Sequence, residues 1–160
     1  MGTINKTTTQ LNLITDGVFG EIHVHDNAVA QSIPTGSTYT KSTAFDNNGV
    51  SRNMTPDQAN NEIQVDHDGD YKISGAFSYA SGTQNVEFFL GVFLDGVEQD
   101  NIHWTRKVGT AGDVGSSSCH GFITATAGQK IDVRVRHDNA GAINFTLSYS
   151  NLNALMGGVN

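Results

Sequence analysis

His23 and His25 stand two residues apart in Glu21-Ile22-His23-Val24-His25. On a strand that spacing points both imidazoles to one face. Three such pairs meeting on a threefold axis could bind a metal octahedrally. A solvated strand edge explains the same pattern, and we adopt that reading. Asp66, Asp68 and Asp70 around Gly69 crowd three carboxylates into one short loop, as a hard cation such as calcium favours. The full calcium-loop pattern is absent, however, and a plain Asp-Gly turn between strands accounts for the same residues.

Cys119, with His120 beside it and His103 upstream, has the makings of a thiol nucleophile and its base. Neighbours on a strand point to opposite faces, and no orienting Asn or Asp is identifiable, so a small buried thiol is the reading adopted. Asp132 and Asp138 beside Arg134, Arg136 and His137 resemble an acid–base group, but they alternate with Ile131, Val133 and Val135 as a solvent face does. The expectation is a protein that is not an enzyme and needs no cofactor. Trp104, near Arg106 and Lys107 in a Gly-containing stretch read as a loop, is either a stacking platform for a sugar or protein or a tryptophan at the edge of the core. Trp104 and Arg106 are the surface-binding candidates.

Sixteen acidic against nine basic side chains give a formal charge of −7. That charge repels phosphate backbones and anionic membranes, so no nucleic-acid partner is expected. No window has the length of apolar residues that a membrane span needs. Met1 to Lys6 lacks a basic start followed by an apolar run, so the expected site of synthesis is a cytoplasm. The single cysteine excludes an intrachain disulfide. Eighteen glycines with only two prolines suit many short strands joined by tight turns.

The elements that must carry these groups are strands. Residues 1–20 are polar and Thr-rich and read as an extended N-terminal arm; 21–160 read as one domain. After the Asp66–Asp70 turn, Tyr71, Ile73, Gly75, Phe77 and Tyr79 alternate with smaller or polar residues, predicting a strand with one buried face. Phe88, Leu90, Val92 and Leu94 line one side of the next strand, and Phe89, Gly91 and Phe93 the other. Two apolar faces call for a second partner surface, and Asp95-Gly96 predicts a tight hairpin. Further strands are predicted over Phe122–Thr126, Ile131–Val135 and Phe145–Tyr149, with a short one at Glu21–His25 and weaker pieces within 38–45 and 61–65. Thr55-Pro56-Asp57-Gln58 has the signals of a helix start, allowing at most one helical turn. About eight strands in all predict an all-β, two-sheet antiparallel sandwich of the jelly-roll kind.

Gly69-Asp70-Tyr71-Lys72-Ile73-Ser74-Gly75, Val86 to Gly96, Phe122 to Ile131 with its Ala127-Gly128-Gln129-Lys130 turn, and Asn144 to Gly157 resemble the C1q and tumour-necrosis-factor-like jelly rolls. Leu155-Met156-Gly157 is a looser ending than the Leu-Gly pair of that family. The resemblance implies a homotrimer whose protomers pack aromatic strand faces around a threefold axis, with Phe89, Phe93, Tyr79 and Tyr149 as interface candidates. With no collagen-like stalk, the chain is similar to bacteriophage virion proteins. That likeness implies a capsid decoration protein on the outer surface of a phage head, bound to the major capsid protein or another virion protein. The alternative it implies is a tail-fibre or tail-tip knob that recognises a host glycan or surface protein.

Overall fold

The computed structural model describes residues 17–158, so residues 1–16 of the expected arm lie outside the described part. The described residues form two antiparallel six-stranded sheets and no helix. The first sheet runs β10(Val114–Ala125), β7(Gly69–Ser81), β12(Ile143–Gly158), β1(Phe19–Val24), β4(Asn47–Asn48), with β2(Gln31–Ile33) also on β12. The second runs β5(Met54–Asp57), β6(Glu62–Val65), β11(Lys130–His137), β8(Val86–Leu94), β9(Val97–Val108), with β3(Thr40–Lys41) also on β11. The fold is the expected jelly-roll sandwich. It has twelve strands where sequence patterning predicts about eight: β2, β4 and β5 carry too few residues to show a period, and the mostly polar β9 shows none.

The two inner faces interdigitate as alternation dictates. Tyr71, Ile73, Phe77 and Tyr79 of β7 and Phe145, Leu147 and Leu152 of β12 meet Phe88, Leu90 and Val92 of β8 and Ile131, Val133 and Val135 of β11. Tyr79 packs against Phe88 and Phe145, with centroids 6.0 and 5.0 Å away. The Asp95-Gly96 turn has positive φ at both residues (48° and 82°), the backbone of a two-residue hairpin that leaves β8 and β9 paired from Leu94 and Val97 onward.

Two sequence readings change. Thr55-Pro56-Asp57 begins no helix: it lies in β5, paired with β6 at Thr55↔Gln64 and Pro56↔Ile63. β5 is the edge of its sheet, where a proline's missing N–H costs no ladder bond. The stretch holding Trp104 is not a loop but lies in β9, one of two twelve-residue strands separated by residues 109–113. β9 and β10 are the edges of opposite sheets and face each other along one side of the sandwich. Trp104 Nε1 donates to Ser117 Oγ (2.9 Å), Arg106 Nη1 to Ser116 O (3.0 Å) and Asn101 Nδ2 to Phe122 O (2.8 Å), closing that side as a seam. Gly115 lets the Arg106 side chain lie where a Cβ would stand.

Candidate functional site

The strand with two apolar faces, β8, is covered on its outer side in part by its own chain, which buries Phe93 and leaves Phe89 half-buried. Its outer residues Phe89 and Phe93 lie under cations of β11: Arg136 sits 3.9 Å over the Phe89 ring and Arg134 4.6 Å over that of Phe93. Tyr39 closes the end of the stack, 5.1 Å from Phe93 edge-on and 5.4 Å beneath Arg136. Burial, with Glu98 nearby, raises the Tyr39 phenol above its ordinary range. The β11 cations are held in turn, Arg134 Nε on Asp132 Oδ1 (2.8 Å) and Arg136 Nη1 on Asp138 Oδ1 (2.5 Å).

Beside them Glu62 accepts Lys41 and Lys130, each at 2.6 Å. Burial alone would push the Glu62 carboxyl up, but the two ammonium groups hold it below the usual carboxylate range. The residues that resemble an acid–base group are thus members of a paired-ion layer, except His137, which points into the core with Nε2 3.1 Å from Ile33 O. Tyr39, Lys41 and Glu62 escape sequence reasoning because they reach this layer from short strands and a loop with no period of their own.

Tyr79 also leaves the set of interface candidates, since it is fully buried between the sheets. Tyr149 goes the other way. A β-bulge at Ser148 sets two residues of β12 against one step of β7, so Leu147 pairs with Tyr79 and Tyr149 with Ser78. The bulge reverses the alternation that would have put Phe145, Leu147 and Tyr149 on one face. Tyr149 therefore stands on the outer face of the first sheet, 47% exposed, with its hydroxyl donated to Asp26 Oδ1 (2.9 Å) and its ring edge-on to His25.

That outer face can be read row by row from the register. Phe122, Lys72, Leu155 and Phe19 form one row, and His120, Ser74, Asn153 and Glu21 the next. Ser118, Ala76, Asn151, His23 and Asn47 form the third, and Ser116, Ser78 and Tyr149 the fourth. Val114, Ala80 and Thr146 form the row at one end, Thr124 and Asp70 lie in the row at the other, and Arg52 bridges to Phe19 in the first. Phe122 is 62% exposed, Val114 56% and Leu155 48%. Lys72, Arg52, Glu21 and Asp70 carry the formal charges of this face, two of each sign, on a chain whose net charge is −7. Large exposed apolar and aromatic side chains on a face without net charge are what an association surface offers. Sequence patterning misses Phe122 and Leu155 as surface residues. The signal is the buried parity of Ile123 and Ala125, and of Leu152 and Ala154, which fixes their neighbours outward.

The remaining chemistry-bearing residues are dispersed. Cys119 faces inward against the core while His120 faces out, and His103 is engaged with Asp100 O (2.6 Å) on the other sheet. Burial pushes the Cys119 thiol up to about 12, away from a thiolate. Trp104 is a tryptophan at the edge of the core, stacked on Phe77 with centroids 4.9 Å apart, and Arg106 is tied to β10 beside it. Asp66 accepts from Thr55 and Gln64, Asp68 from the amide of Ala127, and Asp70 from Thr124. These carboxylates fasten the turn to its neighbours, and Tyr71 adds its hydroxyl to His67 O.

No protein-family model and no curated protein matches the chain. Solved structures do. The Eiger TNF of S. frugiperda superposes with a TM-score of 0.60 at 13% identity, covering 89% of this chain and 95% of that one. The globular domain of the zebrafish complement 1qA protein superposes at 0.61 and 12% identity, covering 89% and 99%. At that identity the likeness carries the fold, and the chain has the C1q/TNF-like jelly roll.

Proposed function

We propose that this chain is a non-catalytic assembly domain that forms a homotrimer through the outer face of its first sheet and acts as a structural virion protein on the capsid surface. The observation that carries the reading is the set of exposed apolar side chains on that face, Phe122, Leu155, Tyr149 and Val114. Self-association covers that face and leaves the acidic remainder in solvent, where like charges stay apart. The C1q/TNF-like fold and the resemblance carried by the β7, β8, β10–β11 and β12 segments support three copies. The dispersal of Cys119, His120 and His103 supports an absence of catalysis.

The virion setting rests on the resemblance of the sequence to phage decoration proteins. Because Phe19 pairs with Leu155, both ends of the described chain lie at one end of the sandwich, with the loops 49–53, 66–68 and 126–129. A trimer therefore presents three copies of this loop end to one partner surface. Simultaneous contact by three copies multiplies a weak single-copy affinity, and binding only the assembled shell stabilises it by mass action.

The test is a sedimentation assay in which purified protein is mixed with undecorated capsids and, separately, with host cells. Saturable attachment to capsids supports the reading. Attachment to cells and never to capsids would replace it with a tail-tip knob that binds a host glycan or surface protein through the opposite loops, 25–30, 82–85 and 138–142.

A further inference from the structure

We propose that His23 is the ligand of a divalent transition-metal ion, with zinc as the type, shared between three copies of this chain. The inference rests on the trimeric reading above. Within a single chain no cluster of three or more His, Cys, Asp or Glu among the described residues could hold a metal, so the site exists only where copies meet.

Three observations point to it. First, β1 is not the solvated edge that the two-residue spacing alone suggests: it lies between β12 and β4, with His23 opposite Asn151 and Asn47. His23 therefore sits within the outer face of the first sheet, at a shallow cleft of about 410 Å³ shared with His25, Tyr149 and Glu21. Second, the Nδ1 atom of His23 is buried and makes no hydrogen bond. Third, Glu21 Oε1 stands 3.5 Å from that nitrogen. This distance is too long for a good hydrogen bond in the free chain.

A carboxylate behind one ring nitrogen is what orients an imidazole for a metal at the other. It takes the Nδ1–H, fixes the tautomer and leaves the Nε2 lone pair available to the ion. Three neutral imidazoles bind zinc tetrahedrally with a water in the fourth position, and imidazole as a donor suits zinc, copper or nickel over calcium or magnesium. Glu21 is also the carboxylate nearest His23 on this face. A cation on the axis would compensate three copies of it when the interface excludes water.

The experiment uses full-length protein stripped of metal with a chelator and titrated with zinc. Light scattering gives the mass, and elemental analysis after desalting gives the bound metal. The expected result is a trimer that retains one zinc per three chains. His23→Gln should abolish retention while the variant still forms a trimer, and Glu21→Gln should loosen zinc about 10- to 100-fold through the lost orientation of the ring. A trimer that retains no zinc, or that retains it equally without His23, overturns the metal site and leaves the assembly reading standing. A monomer with and without zinc overturns both.

Discussion

At the residue scale, side chains that look reactive in isolation are committed to packing. Cys119 illustrates it: facing the core of β10, its thiol is displaced to about 12 by burial. Native protein should therefore resist iodoacetamide at pH 8 for hours and react fully once unfolded in guanidinium; fast alkylation of the native chain would contradict its placement. Phe93 and Arg134 illustrate the same for the second sheet. A double-mutant cycle of Phe93→Leu and Arg134→Gln, read by urea unfolding, should return a coupling of about 0.5–1 kcal/mol and leave the oligomeric state unchanged. Zero coupling would mean that the cation lies over the ring without stabilising it. Glu62 supplies the pH dependence. Its carboxyl is held below the ordinary range, so it stabilises the fold above that range and loses its contribution as pH falls through the lowered folded-state value. Glu62→Gln should cost about 1–3 kcal/mol at pH 7 and much less near pH 3, measured by thermal unfolding at both. An equal loss at both would exclude the ion cluster as the cause.

At the element scale, the bulge at Ser148 decides which residues face the core. Deleting Ser148 would force one half of β12 to turn over, burying Asn151 and Asn153 or exposing Phe145 and Leu147. The expected cost is about 3 kcal/mol or more in thermal unfolding, and a neutral deletion would show that β12 pairs in another register. This bulge also marks where sequence reading stops. The long strands β7, β8 and β11 are legible because each carries enough alternating residues to show a period of two. Tyr149 is not, because a single inserted residue inverts the period without changing composition. β9 is illegible for another reason: its residues are mostly polar on both faces, and its core contacts, Ile102, Trp104 and Val108, are spaced among exposed neighbours. The need for cover on Phe89 and Phe93 was legible in the sequence. Its source was not, since Arg134 and Arg136 read as a solvent face until their stacking is seen. Of the candidate assembly surface, Tyr149 was named only through the family resemblance, and Phe122 and Leu155 became surface residues once register was known.

At the scale of the whole molecule, the sandwich presents two outer faces with different fates. On the second sheet Arg134 and Arg136 lie over Phe93 and Phe89, whereas on the first Phe122, Leu155 and Val114 are uncovered. The seam between β9 and β10 caps Ser116 O and Phe122 O with side chains, which blunts edge-to-edge pairing there and favours association through a face. The central claim is therefore a mass and a surface together. Multi-angle light scattering at micromolar concentration should give three times the 17.1 kDa chain for the native protein and a folded species of lower mass for Phe122→Asp combined with Leu155→Asp. A native monomer, or a double variant that remains trimeric, would contradict it.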